Sequence, residues 1–571
     1  MNGECQKKMK HIIYQTIPRV FGNFNEQLVK NGRLDENGCG KFNSYTLKAL
    51  ASIRELGVTH VWYTGIIAHA TCTDYSSCGI PNDHPAIVKG AAGSPYAIKD
   101  YYDVDPDLAD DVPERMNEFE ALIQRTHDAG MKVIIDFVPN HVSRMYRSLK
   151  KPAYIDDLGQ NDDTQTAFAR ANNYYYIPGQ PLELHFGAWN DAFVYSEFPA
   201  KATGNDCFHT SPGPYDWYET VKLNYGVDYQ NGMAACFSPV PDTWHKMLDI
   251  LLFWAGKDVD GFRCDMAEMV PLAFWNWVIP QVKSYRNVLF IAETYHPESY
   301  RDYIETGKFD YLYDKVGMYD TLRAILCGNM PATRITPCWQ ALEGIQDHFL
   351  FFLENHDEQR IASAFFADNP QVGIPGLALI TMLNKNPVLI YNGQELGEKG
   401  MDEEGFSGRD GKTTIFDYWS MTSVRAWANN GVFDGGRLDD EQRALRLTYQ
   451  KILQIATGEK AIALGRSYGL AYCNIDNPDF PSEIMVAGLR QFENELILVV
   501  INFGKEACPF RVHIPKEAFD FLQIPDNTVS HVKDLLSGEE SICALTYVCP
   551  YQGHISAYSA KILKFNPFFS E

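Results

Sequence analysis

The chain has 571 residues, 45% of them hydrophobic and 22% charged, which excludes a disordered chain and exceeds what one hydrophobic core usually holds. Its formal net charge of -23 argues against a nucleic-acid partner, which needs Lys and Arg set against phosphate, and favours a neutral substrate. No apolar run is long enough to span a bilayer, the opening MNGECQKKMKHIIYQ lacks a signal-like apolar stretch, and an odd 13 cysteines fit reduced thiols, so a cytoplasmic protein without membrane contact is expected.

In chain order, HIIYQTI (11–17) reads as a strand and SYTLKALASIRELG (44–57) as a helix, with Leu47, Leu50 and Ile53 at helical spacing. VTHVWYTG (58–65) is the second strand. The loop after it gathers His69, Cys72, Cys78 and His84, at spacings that match no zinc pattern. PERMNEFEALIQRTHDAG (113–130) opens near Pro and stops at Gly, as helices do, and MKVIIDFVPNH (131–141) is the third strand. Two helix-glycine-strand units in succession predict parallel strands with helical crossovers.

From 142 to 240, Gly, Pro, Asn and Tyr are dense and no period is visible, which predicts an inserted domain. Its Tyr174, Tyr175, Tyr176, Trp189 and Trp217 suit either a substrate groove or a small core. Alternation resumes with TWHKMLDILLFWAGK (243–257), DVDGFRCD (258–265), LAFWNWVIPQVKSY (272–285), NVLFIAE (287–293), FDYLYD (309–314), HFLFFLENHD (348–357) and NPVLIYNGQE (386–395). That makes eight strand candidates, the number that closes a parallel barrel. DEQRALRLTYQKILQIATG (440–458) is a last helix, and beyond it SEIMVAGLRQFENELILVVINFG, CPFRVHI, ALTYVC and HISAYSAKILKF read as antiparallel strands. The predicted architecture is a (β/α)8 TIM barrel in two parts (1–141 and 241–458), an inserted domain after the third strand (142–240) and a C-terminal antiparallel β-sandwich domain (459–571).

In such a barrel the loops after the C-terminal strand ends build the active site. Asp136, Asn140 and His141 end the third strand, Arg263 and Asp265 share one face of the fourth, Glu293 closes the fifth, and His356 and Asp357 follow the seventh. Any single strand-end carboxylate is explained by helix capping or an ion pair. Several of them converging with an Arg and two His crowd like charge beyond what capping requires.

DFVPNH (136–141), GFRCD (261–265), IAET (291–294) and ENHDEQR (354–360) resemble, in order, the four short motifs of the α-amylase family, glycoside hydrolase family 13. GSPYAIKDYYDV (93–104) is similar to that family's second-strand loop, and KLNYGVDYQ (222–230) to its motif near the end of the inserted domain; the likeness spans roughly residues 11 to 400. The resemblance implies a retaining α-glycosidase on α-1,4-linked glucans or maltooligosaccharides, with Asp265 as nucleophile, Glu293 as general acid and base, and Asp357 as transition-state stabiliser. Tyr96, His141, Arg263, His356 and Glu268 would bind substrate, and Asp136 would be a structural carboxylate. The chemistry would need no cofactor, while Asn140 stands where the family often ligates a structural Ca2+; its remaining ligands are not assignable from sequence.

One departure bears on specificity. Many starch-cleaving members carry a Lys-His pair three and four places after the nucleophile, where this chain has Glu268 and Met269. Two alternatives therefore stand beside hydrolysis: an α-glucan transferase or isomerase on the same scaffold, and a non-catalytic glucan-binding member. Chain-length preference, α-1,4 against α-1,6 selectivity and oligomeric state are not legible in the sequence.

Overall fold

The computed structural model describes residues 10–185 and 194–567, so Trp189 lies outside the described residues. Eight parallel strands close a barrel: β1 (Ile12–Thr16), β2 (His60–Tyr63), β3 (Lys132–Phe137), β4 (Gly261–Cys264), β5 (Leu289–Ala292), β6 (Tyr311–Tyr313), β7 (Phe349–Phe352) and β8 (Val388–Tyr391). They coincide with the eight strands expected from sequence, and β1 pairs with β8 through Ile12 and Val388 to shut the ring.

Alternation along each strand divides the apolar residues between two cores. Ile13, Trp62, Ile134, Ile291, Tyr313, Leu350 and Leu389 fill the barrel, whereas Tyr14, Val61, Ile135, Phe262, Cys264, Phe290 and Ile390 face the helix layer. The helices that cover it have one apolar stripe: Leu47–Glu55 buries Ala49, Leu50 and Ile53, and Asp440–Gly458 buries Leu445, Tyr449, Ile452, Leu453 and Ala456 behind a capping box at Asp439. Helix Gly373–Met382, between β7 and β8, is an addition to the sequence reading. It is buried on every side, so no amphipathic period marks it, because the C-terminal sheet covers the face that solvent would otherwise wet.

Between β3 and β4 the inserted segment forms short antiparallel pairs, His141–Ser143 with Thr220–Lys222, Tyr176–Ile177 with Ala200–Lys201, and Val227–Asp228 with Ala234–Ala235. At the C-terminal end, the hairpin Met485–Phe492 and Glu495–Asn502 anchors a six-stranded antiparallel sheet. Its edges and far half include Arg466–Gly469 and Thr528–Asp534, which the sequence reading passed over, and Glu540–Leu545, where the expected strand ran on to 549. One face of the sheet, with Ile497, Val499 and Ile562, joins the barrel's outer core. The other, with Leu498, Val500 and Leu563, packs under the ribbon Cys508–Val512 and Tyr551–Ile555. No helix among the described residues is long and apolar enough to cross a membrane.

Candidate active site

Strand register assembles the site. Arg263 on β4 stands beside Asp136 on β3 and Ile291 on β5, and the ladder runs on past the strand ends, with Asp265 N–H donating to Phe137 O (2.9 Å) and Glu293 N–H to Cys264 O (3.1 Å). Asp136, Arg263, Asp265 and Glu293 therefore meet at one mouth although 157 positions separate the first from the last.

Arg263 is wholly buried and three carboxylates share it. Its NH1 donates to Asp265 Oδ1 (2.7 Å) and Asp136 Oδ1 (3.3 Å), and its NH2 lies 2.8 Å from Glu293 Oε1, an ion pair out of line for a hydrogen bond. Trp62, Tyr96 and Tyr313 turn ring faces toward the guanidinium at 5.4, 5.5 and 5.7 Å. One cation facing three carboxylates leaves the cluster short of positive charge, which favours the protonated forms of Asp136 and Asp265. Burial pushes Asp136 up to about 6 against the pull of Arg263, and Trp62 Nε1–H holds its other oxygen at 3.0 Å. Burial likewise pushes the Asp265 carboxyl up, and Arg263 draws it back.

Glu293 accepts from the Met266 backbone N–H (2.7 Å, Oε2) and from the Tyr295 hydroxyl (2.8 Å, Oε1). The Met266 donor is aimed by a left-handed backbone, φ 43° and ψ 46°, which costs a non-glycine residue roughly 1–2 kcal/mol. Strain of this kind directly after Asp265 points a backbone donor into the site.

His356 is buried between Gln15 Nε2 (2.8 Å from Nδ1) and the Tyr96 hydroxyl (2.5 Å from Nε2), with Asp357 Oδ2 3.1 Å from the same Nε2. Tyr96 stacks on the His356 ring at 5.3 Å, and His141 lies 5.0 Å from the Trp217 ring. Burial, with Lys222 and Lys89 nearby, lowers His141 to about 3, so its ring is neutral and can serve as a hydrogen-bonding group. Tyr96, His141, Asp265, Glu293 and Asp357 line one cavity of about 310 Å³, walled by Trp217, Tyr295, Phe416 and the Lys89–Glu219 ion pair (3.0 Å).

Glu268 and Asn140 have protein partners of their own. Glu268 does not line the cavity. Its carboxylate accepts from the backbone N–H groups of Tyr295 (2.8 Å) and His296 (3.1 Å), from Ser299 Oγ (2.8 Å), and pairs with His296 Nδ1 (2.7 Å). With its acceptor sites engaged, it fastens the loop that carries Tyr295 and has little capacity left for a sugar hydroxyl. Asn140 does not face a set of free oxygens, because its Oδ1 accepts from Lys222 Nζ at 2.5 Å.

Sequence reasoning did not single out Gln15, Trp62, Lys89, Lys222 or Tyr295. Alternation was the available signal for two of them: Tyr295 stands two past Glu293, and Trp62 sits on the inward face of β2.

Residues 32–430 match the family model described as Alpha amylase, catalytic domain. The chain is 23% identical over 507 residues to Alpha-amylase MalA of Haloarcula japonica, covering 88% of this chain and 56% of the relative. It is 25% identical over 317 residues to the human Amino acid transporter heavy chain SLC3A1, covering 55% of this chain and 35% of the relative. It thus spans about half, or less, of the length of these curated relatives. Among solved structures, the maltogenic alpha-amylase AmyB of Thermotoga neapolitana superposes with a TM-score of 0.63 at 20% identity, covering 98% of this chain and 99% of that one.

Proposed function

Because this chain belongs to the α-amylase catalytic-domain family, we propose that it is a retaining α-glycosidase acting on α-1,4-linked glucans, short maltooligosaccharides among them. Family membership alone leaves activity open, since one relative bears the name of a transporter heavy chain. The observation that carries the reading is the sharing of Arg263 by Asp265 and Glu293 at the base of a cavity that Asp357 also lines. Two carboxylates bridged by one planar guanidinium are held close, as double displacement requires, where roughly 5–5.5 Å separates nucleophile from acid.

In this mechanism Asp265 attacks the anomeric carbon while Glu293 protonates the departing oxygen, giving a covalent glycosyl-enzyme. Glu293, now a carboxylate, takes a proton from the incoming water, and Asp265 leaves. Asp357, half-exposed on the cavity wall, is free to accept from ring hydroxyls as positive charge develops at the anomeric centre. His141 and Tyr96 face the same sugar from the cavity wall, and His356, its ring nitrogens taken by Gln15 and by Tyr96 and Asp357, holds those two groups in place beside it. A cavity near the lower end of the range for small-ligand sites supports short chains over the middle of a polymer.

Maltoheptaose digestion followed by NMR tests the whole reading. The α-anomer is expected first, with products shorter than the substrate. A β-anomer would contradict retention, and oligomers longer than the substrate would favour the transferase alternative. Asp265→Asn is expected to abolish turnover with the melting temperature kept near that of the wild type, and undiminished turnover would remove Asp265 as nucleophile.

A further inference from the structure

Lys222 is a buried lysine where the inserted segment meets the barrel. Pairing of His141–Ser143 with Thr220–Lys222 sets Lys222 opposite His141, and only 2% of the residue is exposed. An ammonium has three protons to donate, and here three oxygens receive them: Asn140 Oδ1 at 2.5 Å, Asp206 Oδ1 at 2.6 Å and Met269 O at 3.2 Å. Asn140 cannot readily turn its amide away, because its Nδ2 donates to Gly204 O at 2.8 Å. The Tyr229 ring lies over the ammonium at 5.6 Å.

These oxygens come from the end of β3, from the inserted segment and from the turn that follows Asp265. Calcium requires about six to eight oxygens at roughly 2.3–2.6 Å. An ion among these three would compete with Nζ for the same space and confront its charge. The residues present do not fit calcium.

We propose that Lys222 is a built-in cation: a positioning residue that does the work of a divalent ion, tying the inserted segment to the barrel and steadying the turn behind Asp265. The connection to the chemistry is short. Lys222 holds the Met269 carbonyl, Met269 N–H donates back to Met266 O (2.9 Å), and Met266 N–H donates to Glu293 Oε2 (2.7 Å).

The test uses the full chain, purified in calcium chloride and exchanged into EDTA. Elemental analysis is expected to find far less than one calcium per chain, and calorimetry a melting temperature unmoved by either reagent. Stoichiometric calcium whose removal lowers the melting temperature overturns the proposal. Lys222→Ala is expected to melt several degrees lower in EDTA. Its kcat on maltoheptaose, measured well below melting, should fall about tenfold or more with KM little changed, because the turn and not the sugar contacts is disturbed. Calcium restoring the variant's melting temperature while leaving the wild type unaffected would support competition of ammonium and metal for the same oxygens. A variant with wild-type melting temperature and kcat in EDTA overturns the proposal. If Lys222→Ala does not fold, metal content and calorimetry of the unaltered chain still decide, and neither depends on the substrate proposed above.

Discussion

Replacing Arg263 with Met removes the guanidinium that three carboxylates share and keeps a side chain of similar reach. Burial already pushes the Asp265 carboxyl up, and Arg263 is what draws it back. A hydrogen bond from a charged donor contributes about 1.5–3 kcal/mol, and one pKa unit corresponds to about 1.4 kcal/mol. Loss of the 2.7 Å contact withdraws stabilisation of that size from the ionised form and should therefore raise Asp265 further. The sign follows directly. A nucleophile that keeps its proton to higher pH is ionised later, so the acidic limb of the kcat/KM profile moves to higher pH.

Stability should move with pH as well. Removing one partner of a buried pair costs about 3–5 kcal/mol while the carboxylates stay charged. Asp136, held at about 6 even with Arg263 present, escapes part of that cost at low pH by taking up a proton. The variant should accordingly lose more melting temperature at pH 8 than at pH 5. Rate profiles on a chromogenic maltooligosaccharide and calorimetry at both pH values check this. An acidic limb that stays in place, with equal loss of melting temperature at both, would refute the charge argument.

Other outcomes follow from the same structure. Glu268→Ala frees the loop at 295–299 and should lower stability by about 1–2 kcal/mol and reduce kcat with little change in KM; a selective rise in KM for longer acceptors would restore the substrate-binding role. Glu404 is buried beside Asp402, Asp417 and Asp410 and is pushed up to about 9, with burial the largest cause. Its folded form keeps a proton that the unfolded chain releases near 4.5, so stability is full below that value and falls as pH rises toward 9, by up to about 1.4 kcal/mol per unit. Glu404→Gln should flatten the decline of melting temperature between pH 5 and 9, and an unchanged slope would assign it elsewhere.

The barrel was legible because burial imposes a period. Each strand carries inward and outward residues in alternation, each amphipathic crossover helix carries a stripe, and both patterns survive in the order of the letters. The three carboxylates were legible for a related reason, since each closes a strand whose identity was already clear. Helix Gly373–Met382 escaped because contact on every side erases the stripe. Arg466–Gly469 escaped because it is a polar edge strand, and Thr528–Asp534, an interior strand, because its buried positions include Ser530 and Asp534 while Val529 is exposed, so hydrophobicity does not follow burial there.

What the sequence alone determined, then, is the scaffold and the kind of group at each strand end, because these depend on neighbours a few residues apart. Partnership was decided only by the tertiary structure. Glu268 and Asp265 are both acidic residues after one strand, yet one is consumed by backbone donors 27 residues away and the other stands beside a guanidinium in the cavity. Lys222 and Asn140 are 82 positions apart and become hydrogen-bonded only through the register of two three-residue strands. Charge is readable letter by letter. Whether a charge is spent on structure or kept for substrate depends on which distant atoms fill its hydrogen bonds, and that is a property of the folded chain.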